Sequence, residues 1–350
     1  MADTPAGISA DQQVARIFEW RRGFNTIHLI DLGIRVGLFK AFAEAPGSTA
    51  QDVAQKLGFN AHYVDVWCKT AYGMELLDAE DAGGVAKYRL APHLDTILAA
   101  PTHPRYLGGY VRLGTDVAAE DFRRCVTAFA TGAVKPFQGR GDEFNQAIAE
   151  STWGLQVVTA KKILPGLDGL AARLDGGTLL EVGCGTGNLL IQLAKSFPTA
   201  SVLGVDIDAD SLATARGKIA KAGVADRVEA RQGTVGEAVQ PASVDAVVMV
   251  EVLHEIGAGI RPQVVRECGA ALKPGGWMVI VDETYPTTLE EMRRAEFKFP
   301  LMTGFEELLW GNVIPTREEQ ERLLRDAGLT GPVDRSLIGE GFTVLATRKP

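Results

Sequence analysis

The segment whose residue types most constrain the chemistry is Glu181-Val182-Gly183-Cys184-Gly185-Thr186-Gly187-Asn188. It follows the apolar run Thr178–Val182 and precedes a helical pattern with Leu189, Leu190, Leu193 and Phe197 inward. Glycines there permit a tight turn and let a ligand approach the backbone N–H groups at a helix start. The dinucleotide fingerprint G-x-G-x-x-G fails in both registers, its third glycine falling on Asn188 or Leu190. A phosphate loop fails too, because Ala194 and not glycine precedes Lys195-Ser196. Asp206, closing the run Ser201–Asp206, is placed to accept both hydroxyls of a ribose. A calcium loop over Asp206, Asp208 and Asp210 is rejected, since Ser211 stands where glycine is required and Gly217 where the closing Glu belongs.

His254 is the only histidine in the second half of the chain and follows the run Val244–Val250. An imidazole there can act as a base near neutral pH, hold a ligand by a hydrogen bond, or merely complete the core. No metal is expected: no second histidine lies nearby in that half of the chain. Nor do Cys68, Cys125, Cys184 and Cys268 form a C-x-x-C or Cys/His cluster. Cys184 is expected to be a small space-filler.

These residues need elements to position them, and 350 residues suffice for two or three domains. Apolar residues make up 46% of the chain and charged residues 23%, enough for a large core. The net charge of −8 argues against duplex nucleic acid and anionic membrane surfaces as partners. Scattered cysteines and the absence of a signal segment fit the cytoplasm, and no run approaches the ~18 apolar residues of a membrane span.

Residues 1 to about 13 read as a loose tail, and a helical pattern starts with Val14, Ile17 and Phe18. Helices this apolar call for more than one partner surface. Within 14–100, Thr49 with Asp52 is a capping-box-like start and Gly58 a stop. A second helix opens at Asn60 with Tyr63, Val64, Trp67, Cys68, Ala71 and Met74 on its buried side, and a hairpin ends at Leu90. That order is a mainly α winged-helix domain. Its second helix is poor in cations, with Lys69 set against Asp65 and Glu75, so it reads as a dimerisation module and not a DNA reader. Residues 101–165 form a helical connector able to lie across a neighbouring pocket. Strands at 178–182, 201–206, 228–232, 244–250 and 277–281 alternate with helices over 166–350, and Val333–Leu337 and Phe342–Thr347 make a closing hairpin. This is an α/β doubly wound sheet, whose ligands bind beyond the carboxyl ends of its strands.

EVGCGTGN, Asp206, RQGT (231–234), VLHE (252–255) and LKPGG (272–276) together resemble the class I S-adenosylmethionine-dependent methyltransferases. With the winged helix in front, the chain is similar to the small-molecule O-methyltransferases, which are typically homodimers joined through that domain. The resemblance implies a Rossmann-like sheet, S-adenosyl-L-methionine as cofactor and a small-molecule acceptor. It places Gly183, Gly185 and Gly187 against the methionine part, Glu181 toward its amino group and Asp206 on the ribose. Ile207, Gly233, Thr234 and Glu251 complete the implied cofactor contacts. Thr234 stands where the family usually has an acid, and Val250 where plant members have lysine. His254 takes the place of the family's catalytic histidine, Glu283 that of an acid orienting it, and Glu306 and Glu307 are both candidates for a third carboxylate. Phe144, Trp153, Phe299, Met302 and Trp310, with Asn312 as a polar group, are expected around a flat, largely apolar acceptor. Hydroxyl methylation is the first expectation and N- or C-methylation the second; a regulator sensing the cofactor is a third.

Overall fold

The computed structural model describes residues 7–136 and 140–350, and the chain forms two compact units divided between Val117 and Ala118. The first opens with α1 (Ala10–Arg35). The Ser9 hydroxyl accepts from Gln12 N while Gln12 Oε1 accepts from Ser9 N, a reciprocal cap that satisfies two orphan donors. That cap draws residues 10–13, expected in a loose tail, into the helix; residues 1–6 lie outside the described residues. There follow α2 (Leu38–Glu44), β1 (Ser48–Thr49), α3 (Ala50–Leu57), α4 (Ala61–Gly73), β2 (Leu77–Asp81) and β3 (Ala86–Leu90).

Thr49 and Asp52 cap α3 reciprocally, and Gly58 ends it at a φ of 72°. On α4, Val64, Trp67, Cys68 and Ala71 form the buried stripe at i, i+3, i+4 and i+7. Tyr63 and Met74, expected on that stripe, are exposed. Tyr63 is one residue, about 100°, away from it, and Met74 is the C-cap, past the last helical residue. The β2–β3 hairpin, with β1 added to β3, packs over the helices around Phe39, Phe42, Trp67 and Tyr88. The α1 helix leaves Ile17, Phe18, Trp20 and Phe24 exposed.

The second unit begins with helices at Ala119–Thr131, Asp142–Ser151 and Trp153–Val158. Then come β4 (Thr178–Val182), β5 (Ser201–Asp206), β6 (Val228–Gln232), β7 (Val244–Val250), β8 (Leu272–Glu283), β9 (Asp334–Ile338) and β10 (Phe342–Arg348). They make one sheet in the order β6-β5-β4-β7-β8-β10-β9, parallel through β8 and antiparallel at β10 and β9. Every residue of β7 is buried, and such a strand needs both faces covered, so it lies at the centre. Strand β8 starts five residues earlier than expected. Leu272 already pairs with Val244, and an irregularity before the Ala246–Trp277 pair absorbs the intervening Lys273–Gly276.

The chain runs outward from β4 to β6 and returns to β7 on the other side of β4. A crevice therefore opens beyond the carboxyl ends of β4 and β7, where such sheets bind ligands. The glycine loop, Asp206, the segment Glu251–His254 and Glu283 all emerge at that edge.

Candidate active site

A cavity of about 540 Å³ lies over this edge. Its wall includes Gly183, Gly185, Asp206, Ile207, Gly233, Thr234, Glu251 and Asn312. Gly183 has a φ of 68°, and a Cβ there would stand 2.6 Å from Val252 Cγ2, so only glycine fits the turn. Gly187 is not on the wall. It is the N-cap of the helix Asn188–Ser196, and a Cβ would meet that of Ala215 at 2.9 Å, so helix packing explains this glycine. Lys218 Nζ pins the loop by donating to Thr186 Oγ1 at 2.9 Å and Asn188 Oδ1 at 2.8 Å.

Asp206 Oδ2 accepts from Gly185 N at 2.7 Å and Oδ1 from Asp208 N at 2.9 Å. Burial raises its pKa from the ordinary value, against the pull of these N–H donors. The two oxygens retain lone pairs for further donors. Glu181 is buried beneath the loop, and its Oε2 has no hydrogen-bond partner among the described residues. Burial first and Asp206 second hold its pKa well above the ordinary value. An orphaned carboxylate oxygen of this kind is costly until a donor reaches it. The Thr234 hydroxyl accepts from Glu237 N and so caps the helix Val235–Ala238.

His254 is 3% exposed. Its Nδ1 lies 2.7 Å from Asp282 Oδ1 and 3.4 Å from Glu283 Oε2, while Nε2 faces Glu307 Oε1 at 3.8 Å. The carboxylate nearest Nδ1 is thus that of Asp282, with that of Glu283 next. The Asp282 side chain also accepts from His254 N at 3.2 Å and Glu283 N at 2.7 Å, so three donors hold it. Burial alone would depress the imidazole pKa; Asp282 foremost, then Glu283 and Glu307, raise it well above the ordinary value. Burial would raise Asp282, but the His254 charge and hydrogen bond lower it. For Glu283, burial outweighs His254 and pushes the pKa to about 8.

Glu251 enters this group from the end of β7 with a φ of 57°, a strained backbone for a residue with a Cβ. Burial first, then Glu283 and Asp282, raise its pKa well above the ordinary value. Glu251, His254, Asp282 and Glu283 each bring a potential ligand atom within 4.8 Å of the others.

Comparison with known proteins bears directly on this geometry. Residues 180–278 match a family described as a methyltransferase domain. The chain is 27% identical over 258 residues, 71% of its own length and 70% of the relative's, to 3-hydroxy-5-methyl-1-naphthoate 3-O-methyltransferase of Streptomyces sahachiroi. It is 24% identical to human acetylserotonin O-methyltransferase over 90% of both chains. Its fold matches the crystal structure of human N-acetylserotonin methyltransferase in complex with S-adenosylmethionine, with a TM-score of 0.79, 18% identity and coverage of 98% and 99%. The chain is an S-adenosylmethionine-dependent methyltransferase, similar to small-molecule O-methyltransferases.

For a methyltransferase of this group, the orphaned Glu181 oxygen, the two-oxygen Asp206 and the glycine turn fit the amino, ribose and methionine parts of the cofactor. The exposed Ile207 side chain offers an apolar surface on the same wall. On the methyltransferase's other wall stand Asn145, Ile148, Thr152 and Gln156. Sequence reasoning missed all four; only the expectation that the connector could cover a pocket pointed their way.

The four aromatic residues and Met302 expected around the acceptor are spread more widely. Phe144 and Trp310 are buried edge-to-face at 5.4 Å, and Trp310 Nε1 donates to Asp121 Oδ2 at 2.9 Å. Phe299 packs on Phe342 at 4.9 Å, Met302 is exposed and Trp153 is half-buried. None of these five is on the cavity wall; Asn312 is, and its Nδ2 donates to Glu307 Oε2 at 2.7 Å. Of the two candidates for the third carboxylate, Glu307 is the one that reaches His254.

Proposed function

We propose that this enzyme methylates a hydroxyl of a small, aromatic or largely apolar acceptor, with His254 as the general base and Asp282 as its orienting carboxylate. The observation that carries the reading is the buried 2.7 Å contact between His254 Nδ1 and Asp282 Oδ1. With Nδ1 donating to the carboxylate, Nε2 is the atom left to receive a proton, and the imidazolium so formed is stabilised by Asp282. S-adenosylmethionine supplies the methyl group on a sulfonium leaving group. The chain's own task is to align the acceptor, exclude water and take the hydroxyl proton at Nε2. The relatives named for a hydroxynaphthoate and for acetylserotonin support an aromatic acceptor. The exposed apolar residues of α1 support a homodimer built on the first unit, because a stripe of this size is usually covered by a partner.

The test is turnover with a panel of phenolic acceptors, comparing wild type with His254→Ala. The variant should be slower by about 10²-fold or more, the scale of a general base, with unchanged cofactor affinity. Wild-type turnover that is restricted to amines or carbon nucleophiles, or a variant with an unaltered rate, overturns the reading.

A further inference from the structure

The last two residues of β8 do what a regular strand cannot. Successive side chains of a strand point to opposite faces. Yet Asp282 Oδ1 and Glu283 Oε2 both reach His254 Nδ1, at 2.7 and 3.4 Å. The backbone at Glu283 must therefore hold one particular bend, and strand pairing supplies only part of the hold. Strand β7 pairs with β8 no further than Val250 with Val281. Beyond that point Asp282 and Glu283 keep partners on one side alone, Thr343 and Phe342 of β10. The Glu283 carboxyl has His254, Asp282 and the Thr303 hydroxyl around it. Its main-chain carbonyl is held from another element.

That element is the helix Arg317–Asp326, whose first turn carries Gln320, 1% exposed. Gln320 Nε2 donates to Glu283 O at 2.8 Å, while Oε1 accepts from Arg335 Nη2 at 3.0 Å and lies 3.0 Å from Thr284 Oγ1. A carbonyl offers no donor and a guanidinium no acceptor, so the amide can stand only one way round. Thr284 Oγ1 also meets Thr343 Oγ1 at 2.9 Å, which closes a buried polar network. Networks of this kind, once satisfied, rigidify what they touch. The preceding residue, Glu319, accepts from Arg261 Nη1 at 2.8 Å, and Arg261 Nη2 donates to His254 O at 3.3 Å. One helical turn thus ties the exit of β8 through Gln320 and the histidine segment through Glu319. We propose that Gln320 is a positioning residue, whose amide fixes the Glu283 backbone and thereby the distance of the Glu283 carboxyl from His254 Nδ1. Gln320 is not on the cavity wall and acts through Glu283. Its consequence for turnover rests on the function proposed above.

Two variants of the full-length enzyme separate positioning from packing. Gln320→Met loses both halves of the amide. Gln320→Glu keeps the shape and an acceptor for Arg335. Beside that guanidinium it stays ionised, so it lacks only the donor to Glu283 O. Both are read at one pH with S-adenosylhomocysteine bound, through the imidazole nitrogen resonances of His254, assigned by their loss in His254→Ala. The Nδ1 resonance should shift in both variants. With the phenol that wild type turns over fastest, kcat should fall by about 10–10²-fold, the scale of a misplacement of about 1 Å. The acceptor KM and the affinity for S-adenosylhomocysteine should stay at wild-type values, which also shows that each variant is folded. A Gln320→Glu enzyme with the wild-type His254 resonance, or with wild-type kcat where His254→Ala is slow, overturns the positioning role. Cofactor affinity lost in step with kcat does the same, because it marks a general structural loss. Shifted resonances in both variants alongside wild-type turnover by His254→Ala keep the positioning role and overturn the base assignment.

Discussion

Nδ1 of His254 meets Oδ1 of Asp282 at 2.7 Å although 28 residues separate them, and both side chains are buried. The parallel pairing of Val250 with Val281 brings them together, because the chain leaves both strands at the same sheet edge. A buried carboxylate at this distance raises the basicity of the ring and fixes which nitrogen is left to accept a proton.

That contact predicts an alkaline pH profile. The ratio kcat/KM should rise with pH as His254 loses its proton, with a midpoint above the ordinary histidine value of about 6.5. Asp282→Asn should move the midpoint to lower pH and slow turnover by about 10²-fold. An Asp282→Asn profile that overlays wild type would assign the basicity to other groups.

Asp206→Ala should abolish binding of S-adenosylmethionine in calorimetry. The substitution removes the acceptors placed for the ribose and also the tie to Gly185 N. Retained affinity would mean that the nucleoside lies elsewhere in the cavity.

Glu283 predicts a pH-dependent stability difference. Its pKa is raised from 4.5 to about 8 in the fold, so its stabilising contribution is complete below about 4.5 and is lost as pH climbs to about 8. Glutamine cannot undergo that loss. The Tm of Glu283→Gln minus that of wild type should therefore grow between those two pH values and level off above. A difference independent of pH would show that Glu283 does not titrate in this range.

Arg261 is 0% exposed and ties the histidine loop to the segment before Arg317. It donates to Glu319 Oε1 at 2.8 Å, Val313 O at 2.6 Å, Ile256 O at 3.2 Å and His254 O at 3.3 Å. Arg261→Met leaves those acceptors without their donor and should cost about 3–5 kcal/mol in chemical denaturation. Arg261→Lys should rescue little, because one ammonium cannot span the fork. A loss below about 1 kcal/mol would show that water replaces the guanidinium.

Local patterns determined much of this protein. The run Val244–Val250 is apolar enough to demand a central strand, and the Thr49–Asp52 box and Gly58 delimit α3 by backbone hydrogen bonding alone. The glycine loop and Asp206 were legible as neighbours at one sheet edge because a tight turn and a carboxylate closing a strand depend on residue type and short spacing. Tertiary structure decided the rest. Whether Asp282 or Glu283 is closer to His254 depends on strand register and on how the chain bends beyond Val281, which adjacent letters do not encode. Glu251 joins that group only through a left-handed backbone that its residue type disfavours, and Gly187 owes its identity to Ala215 on another helix. The wall built by Asn145, Ile148 and Gln156 required helices of the connector to fold over the sheet edge, a long-range contact with no local signature.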